Sequence, residues 1–301
     1  GMKSRHAPTL PKQWWRFCDE VYAFEVTEED GLEGGDFVLS GLEATLSFEE
    51  YKKNLEEIQE LEKAGETYQV NFTYPFRGDF SGDPFALYMA LFQKNPSTHC
   101  FFAEDEDWAI ASNSPERLFS LHGRKLRAEP IKGTVAANVD SEILLNDKKA
   151  EAELTMIVDL LRNDLARVSK VGSVKVPVHR EIMQLSHVKH SYSVIESELK
   201  EGVNLDEVLH ALFPGGSITG CPKKRTMEII DRLENFSRGA YCGSAGFISV
   251  NGNADFNIMI RSGTIQNGQL EFPVGGGILV DSNVEAEWGE SLVKAGALKS
   301  L

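Results

Sequence analysis

Two stretches of the sequence restrict the fold more than any other feature, because each reads as one hairpin after another. Between Cys100 and Pro130 the runs CFFAED, WAIAS, RLFSL and KLRAEP alternate with short breaks, one of them His122-Gly123-Arg124. Between Tyr241 and Val280, YCGSAGFISV turns at Asn251-Gly252, FNIMIRSGTI follows, and Asn267-Gly268 leads into LEFPVGGGILV. Asn-Gly between short apolar runs marks a tight hairpin, since both central positions of that turn need positive φ. Antiparallel sheets are therefore predicted, not a doubly wound parallel one. Two such meanders, each followed by helix, imply an architectural duplication without a visible sequence repeat.

Helices fill the remainder. Ser47 and Glu50 form a capping box, and Phe48, Tyr51, Leu55, Ile58 and Leu61 recur at helical spacing up to Gly65. The aromatic and β-branched run 68–76 (YQVNFTYPF) then reads as a strand. Residues 148–168 form the clearest helix, with Met156, Leu160, Leu161 and Leu165 on one side, and shorter ones are predicted over 205–212, 223–233 and 285–298. Residues 1–45 mix Trp14, Trp15, Phe17, Tyr22 and Phe24 with acidic runs and show no sustained period, so they read as a short, partly stranded N-terminal leader. No Pro/Ser-rich linker divides residues 46–301, which makes them a single domain of catalytic size.

Thirty-one Lys and Arg against 46 Asp and Glu give a net charge of -15. Such a field repels polyphosphate, so no nucleic-acid partner is expected. A small anionic substrate remains admissible only where the site supplies its own positive charge, from a metal ion or from placed Lys and Arg residues. The four cysteines are scattered without a CxxC pair, which fits neither zinc nor a disulfide framework and points to a reduced, cytoplasmic setting. No run approaches ~18 apolar residues and no apolar h-region follows the first basic residues, so neither a membrane span nor export is expected.

Several residues are candidates for chemistry. Glu287, Glu290 and Lys294 share a helix face at i, i+3, i+7. That arrangement suits a solvated face, and equally a hard-cation site, since Mg²⁺ takes one or two protein carboxylates and completes its shell with water and substrate oxygens. Glu153, on the long helix, is placed to supply a facing ligand. The Gly215–Gly220 loop ahead of a helix, like Gly275-Gly276-Gly277, reads as a tight turn or as an anion cradle of backbone amides. It is not a Walker A loop, because Cys221 and Pro222 follow Gly220. Lys132, in Pro130-Ile131-Lys132-Gly133-Thr134, is either solvated or a nucleophile needing desolvation or a cationic neighbour. His187 and His190 share a face without a third ligand, so a core or substrate contact is favoured over metal binding.

Taken together, the blocks AGETYQVNFT (64–73), SPERLFSL (114–121), PIKGT (130–134), MIVDLLRNDLARV (156–168), LFPGGSITGCPKKRTMEIIDRLE (212–234), RGAYCGSAGFIS (238–249), FNIMIRSG (256–263) and GGGILVDSNVEAEWGESLVKA (275–295) resemble the chorismate-utilising enzymes. The resemblance runs from about residue 46 to the end. It implies an α+β fold of two orthogonally packed antiparallel β-sheets flanked by helices, with Mg²⁺ holding the substrate's ring carboxylate. On matching positions Glu153 and Glu290 are the direct metal ligands, with Glu287 close by. Arg261 and Tyr241 hold the pyruvyl-side carboxylate, assisted by the Gly275 and Gly277 amides and Lys294, while Ser217, Thr219 and His190 line the ring.

Within the family, water-adding members carry Lys where this chain has Gln69, and a carboxamide cannot serve as that base. Lys in the PIxGT motif resembles aminodeoxychorismate synthase component I, in place of the Ala of anthranilate synthases. The resemblance then implies that Lys132 attacks the ring, the 4-hydroxyl leaves, and ammonia from a glutamine amidotransferase subunit displaces the lysine and ends at carbon 4. Glu129, just ahead of the motif, is the expected acid for the departing hydroxyl. The sequence departs from the family at Val135-Ala136-Ala137-Asn138, where relatives carry an Arg-rich stretch, and only ~45 residues precede the Ser47 helix, so tryptophan feedback is not expected. Anthranilate synthase, isochorismate synthase and a catalytically silent chorismate-binding subunit are the competing expectations.

Overall fold

The computed structural model describes residues 4–7, 10–18, 21, 34–184 and 188–299. His187 and residues 22–33, with Tyr22 and Phe24, lie outside the described residues. Among the described residues, two antiparallel sheets of seven strands each make the fold. The first runs β1 (Phe37–Ala44), β2 (Gln69–Gly82), β14 (Gln269–Ile278), β13 (Ser262–Gln266), β4 (Trp108–Ser112), β3 (Phe101–Asp105), with the short β10 (Gly220–Cys221) also on β2. The second runs β11 (Gly246–Ile248), β12 (Ala254–Asn257), β5 (Arg117–His122), β6 (Lys125–Glu129), β9 (Val188–Glu198), β7 (Ile131–Ala136), with β8 (Lys175–Gln184) on β9. The helices are α1 (Phe48–Lys63), α2 (Pro84–Lys94), α3 (Ser141–Leu145), α4 (Lys148–Val168), α5 (Leu205–Leu212), α6 (Lys223–Leu233) and α7 (Val284–Lys299).

The local signals explain these elements. Ser47 and Glu50 close the capping box at the head of α1, the Glu50 carboxylate accepting from the Ser47 N–H at 2.9 Å. Asn267 and Gly268, at φ 53° and 70°, make the tight turn that joins β13 to β14. β2 lies between β1 and β14, and its first eight residues are all buried: Val70, Phe72, Tyr74 and Phe76 enter the core of the first sheet, and the buried polar Gln69, Asn71 and Thr73 alternate with them. β1, within the stretch read as leader, is an edge strand of the first sheet, paired with β2 from Phe37↔Gly82 to Ala44↔Phe76.

The two hairpin-rich stretches are not two separate sheets. The chain leaves the first sheet for the second between β4 and β5, and returns between β12 and β13, so each stretch contributes two strands to each sheet. Periodicity reports which face of a strand is apolar, not which sheet the strand joins. The two crossing segments are bonded to each other: Asn113 N–H donates to the Arg261 carbonyl at 3.1 Å, and Ile258 N–H to the Glu116 carbonyl at 2.9 Å. Arg261 there holds φ 51°, a left-handed backbone that a long side chain adopts only under tertiary constraint.

Each sheet has its own core. α1, α6 and α7 pack on the first, where Tyr51, Leu55, Ile58, Phe72, Phe76 and Phe272 are at most 1% exposed. Trp288 of α7 stacks on Tyr74 with ring centroids 5.1 Å apart. α4 and α5 cover the second through Leu154, Ile157, Leu161, Leu165, Val208 and Leu212. Each fully buried Leu or Ile contributes ~1.5–3 kcal/mol over an exposed one, so α4 and α7 are fixed by their apolar faces and their polar faces are held in place where they meet.

Candidate active site

α4, α7, β7 and β14 enclose a cavity of about 580 Å³, completed by the two crossing segments. Asp147 caps α4, its carboxylate accepting from the Lys149 and Ala150 N–H groups at 3.0 Å each, and this sets the first turns that carry Lys149 and Glu153 to the cavity. Lys132 comes from β7. Gly133 beside it holds φ 76°, and a β-carbon there would press to 3.0 Å on Ala150 and 3.1 Å on Leu144, so the strand seats against α4 only with glycine. Gly275, Gly276 and Gly277 form the β14 wall, and from α7 come Glu287, Glu290 and Lys294.

Of the residues expected from the sequence, the structure gathers Lys132, Glu153, His190, Ser217, Tyr241, Arg261, Gly275, Gly277, Glu287, Glu290 and Lys294 on this one cavity. Lys294 donates to the Gly275 carbonyl at 2.7 Å and pairs with Glu290 at 2.8 Å. His190, 2% exposed, bonds through Nδ1 to the Thr134 hydroxyl at 2.8 Å. Burial and the nearby Arg261 charge lower its pKa to about 4, so it is neutral at pH 7. Tyr241 is pushed well above the ordinary phenol range, chiefly by burial, and stays protonated as a donor. Burial also lowers Arg261, partly offset by Glu116.

Three expected residues do not line the cavity. Thr219 turns its hydroxyl to the Gly215 carbonyl at 2.9 Å. Gln69 lies just behind the β14 wall: a β-carbon on Gly277 would fall 2.0 Å from its Nε2. Glu129 points to Arg127, at 2.6 Å, and to Arg117. Burial alone would raise its carboxyl, yet the two guanidiniums hold it below the usual carboxylate range. An ionised carboxylate turned away from the cavity is not placed to protonate a leaving hydroxyl.

Glu116 also lines the cavity, a carboxyl that reasoning from the sequence missed inside SPERLFSL. It is 6% exposed, and burial raises its pKa while Lys132, Ser217 and Arg261 partly restrain the shift. Its signal was a carboxylate placed directly after Ser-Pro at the entrance to a strand whose four central residues are buried. Glu153 is likewise raised by burial, against the pull of Lys132 and Lys149. The Lys132 charge thus acts on one buried carboxyl, Glu116, and one partly buried, Glu153.

Glu153, Glu287 and Glu290 supply hard oxygen donors. Lys149 is paired with Glu287 and lies 3.8 Å from Glu153, so an ammonium occupies the place where these carboxylates meet. Burial would raise Glu290, but Lys294, Lys149 and Lys132 together keep it below the ordinary value. Among the described residues no group of three acidic, His or Cys side chains is drawn together tightly enough to hold an ion alone. Mg²⁺ does not require one, because water and substrate oxygens fill most of its shell. The donor set fits that ion.

Comparison with known proteins agrees with this arrangement. A family described as chorismate binding enzyme matches residues 5–300. The chain is 41% identical to aminodeoxychorismate synthase component 1 of Escherichia coli (strain K12) over 86% of its length and 59% of that protein's. It is 38% identical to anthranilate synthase component 1 of Saccharolobus solfataricus over 88% of its length and 65% of the relative's. It thus spans about three fifths of the curated relatives it matches. Among solved structures, anthranilate synthase component I of Streptococcus pneumoniae superposes with a TM-score of 0.78 at 32% identity, covering 88% of this chain and 59% of that one. Among the described residues, no helix is long and apolar enough to cross a membrane.

Proposed function

The chain belongs to the chorismate-binding enzymes, and on that premise we propose that it is an aminodeoxychorismate synthase component I that converts chorismate and ammonia into 4-amino-4-deoxychorismate. The observation that carries this reading is Lys132, standing on the wall of a cavity that also gathers the cationic side chains Lys149, Arg261 and Lys294, neighbours of the kind that favour a free amine. A lysine so placed is the nucleophile of a covalent route.

The steps balance without an outside oxidant. The Lys132 amine lone pair forms a C–N bond to the ring, the ring double bonds shift, and the C4–O bond breaks. Glu116, whose pKa burial raises, gives its proton to the departing oxygen, which leaves as water. Ammonia then bonds to carbon 4, the double bonds shift back, and the bond to Lys132 breaks with the electron pair returning to the amine. One ammonia enters and one water leaves. Arg261 and Tyr241 take a substrate carboxylate, and neutral His190 and Ser217 lie against the ring. Glu153 and Glu290, with Glu287 beside them, would hold Mg²⁺, which when bound would supply positive charge for the other carboxylate. This answers the demand that a chain of net charge -15 makes of an anionic substrate.

Ammonia is supplied, on this reading, by a glutamine amidotransferase subunit, in the cytoplasm. The resemblance to anthranilate synthase favours a second reading on the same cavity, in which the amine ends elsewhere on the ring and pyruvate is lost. The two part on one measurement: mass spectrometry of the product after incubation with chorismate, Mg²⁺ and ammonium, with an ammonium-free control. An amino group in place of the 4-hydroxyl with the pyruvyl group retained is expected. Anthranilate or isochorismate would move the protein to a sister activity.

A further inference from the structure

Lys149 stands in the first turn of α4, where the helix macrodipole is positive and a cation is disfavoured. What holds it there lies mostly across the cavity. Its ammonium is hydrogen-bonded to Glu287 of α7 and stands 3.8 Å from Glu153 of its own helix, and the Glu290 charge acts on it as well. These are the three carboxylates proposed to hold Mg²⁺. α4 packs on the second sheet and α7 on the first, so the Lys149–Glu287 pair also bridges the two halves of the fold along one side of the cavity.

Exposure differs along this bridge. The Glu287 side chain is 4% exposed and that of Glu153 13%, whereas that of Lys149 is 44% exposed. Glu287 Oε1 also accepts from the Ser282 hydroxyl at 2.7 Å, and the Asp147 cap takes the Lys149 backbone N–H. The Glu287 carboxylate is thus anchored in the wall, while the lysine stem, partly in solvent, is free to swing away with the helix unchanged. A buried carboxylate left without a counter-charge is costly, so a cation belongs beside Glu287 at every stage. An ammonium and a divalent ion drawn to the same oxygens repel each other at a few ångströms, which makes the two alternatives.

We propose that Lys149 is the site's own counter-ion: it neutralises Glu287 and Glu153 and ties α4 to α7 until a divalent cation displaces it, and it thereby sets how tightly that cation is held. This inference rests on the assignment of Glu153, Glu287 and Glu290 to the ion, and it adds the group that competes with it. An ion that must break the Lys149 pair on entry binds less tightly than it would to the carboxylates alone.

The experiment is titration with Mn²⁺ as the probe, the free ion followed by electron paramagnetic resonance, for wild type, Lys149→Met, Lys149→Arg and Glu290→Gln, together with thermal denaturation with and without the ion. Lys149→Met keeps the aliphatic stem and removes the charge. It should bind Mn²⁺ at least about tenfold more tightly than wild type, the scale of one charged hydrogen bond that no longer has to be broken. Without the ion it should melt below wild type, and it should gain more from saturating ion than wild type does. Lys149→Arg, which keeps the charge, should hold the ion within about threefold of wild type. Ion binding in Lys149→Met no tighter than in wild type overturns the inference, because the lysine would then not compete for the place. Wild-type ion binding that Glu290→Gln leaves unchanged instead overturns the assignment of the carboxylates to the ion, and the two failures are thereby told apart.

Discussion

Arg238 donates from Nη2 to Glu234 Oε1 at 2.6 Å, and this pair ties two walls of the catalytic cavity together. Glu234 also accepts from the Thr73 N–H at 2.9 Å and its hydroxyl at 2.8 Å. Arg238 donates to the Asn71 and Ile218 carbonyls, each at 2.7 Å. The Glu234 side chain is 2% exposed and that of Arg238 15%. Strand β2 and the turn carrying Ser217 are thus joined through one buried ion pair whose other hydrogen bonds go to backbone and to the Thr73 and Cys242 side chains.

Glu234→Ala leaves the Arg238 guanidinium buried without its counter-ion, and breaking a buried pair in this way costs ~3–5 kcal/mol. Urea denaturation is expected to show a lower midpoint with an unchanged slope. A cost below about 1 kcal/mol would mean that water reaches Arg238 once the carboxylate is gone.

Lys132→Ala removes the proposed nucleophile while Arg261, Tyr241 and the carboxylates remain. Turnover to the aminated product is expected to fall at least ~10³-fold with chorismate affinity nearly kept, the pattern of a group needed only for the chemical step. Intact-protein mass spectrometry of wild type mixed with chorismate in the absence of ammonium should in addition show a covalent adduct that the variant lacks. Retention of more than a tenth of the wild-type rate would contradict the covalent route.

Glu116 and Glu129 make opposite predictions. Glu116→Gln keeps the shape of a buried cavity group but removes its proton, and loss of a general acid is worth ~10²–10⁴ in rate. Glu129→Gln, on a carboxylate bound by Arg117 and Arg127 outside the cavity, should leave kcat within about threefold while lowering thermal stability modestly. Comparison of kcat for the two variants decides which carboxyl serves the leaving oxygen.

Most of this architecture was readable in the residues because it is built from local signals. Capping at Ser47, the Asn-Gly turns and the apolar face of α4 each act within a few positions, and each element appears where those signals place it. The crossing of the chain between sheets was not readable, since it depends on long-range pairing of 113–116 with 258–261. The same limit misdirected the search for an acid. Glu129 precedes Lys132 by three residues but ends β6, where Arg117 and Arg127 take its carboxylate, whereas Glu116 comes to the Lys132 cavity only through the packing of the strands around β9.

Glu62, in the last turn of α1, contributes to the dependence of stability on pH. Its two carboxyl oxygens are buried without a hydrogen-bond partner among the described residues, and burial, joined by the Asp281 charge, pushes its pKa up to about 8 from an ordinary 4.5. The folded protein therefore holds a proton here that the unfolded chain releases. Where the folded state binds more protons, stability falls with rising pH. The stabilising contribution of protonated Glu62 is accordingly complete below pH 4.5 and drains away as pH rises through about 8. Glu62→Gln carries no such proton, so the variant should match wild type near pH 5, exceed it near pH 8, and show a flatter midpoint-against-pH curve in urea denaturation between those values. Parallel curves for the two proteins would show that Glu62 is solvated in solution and titrates as an ordinary surface carboxyl.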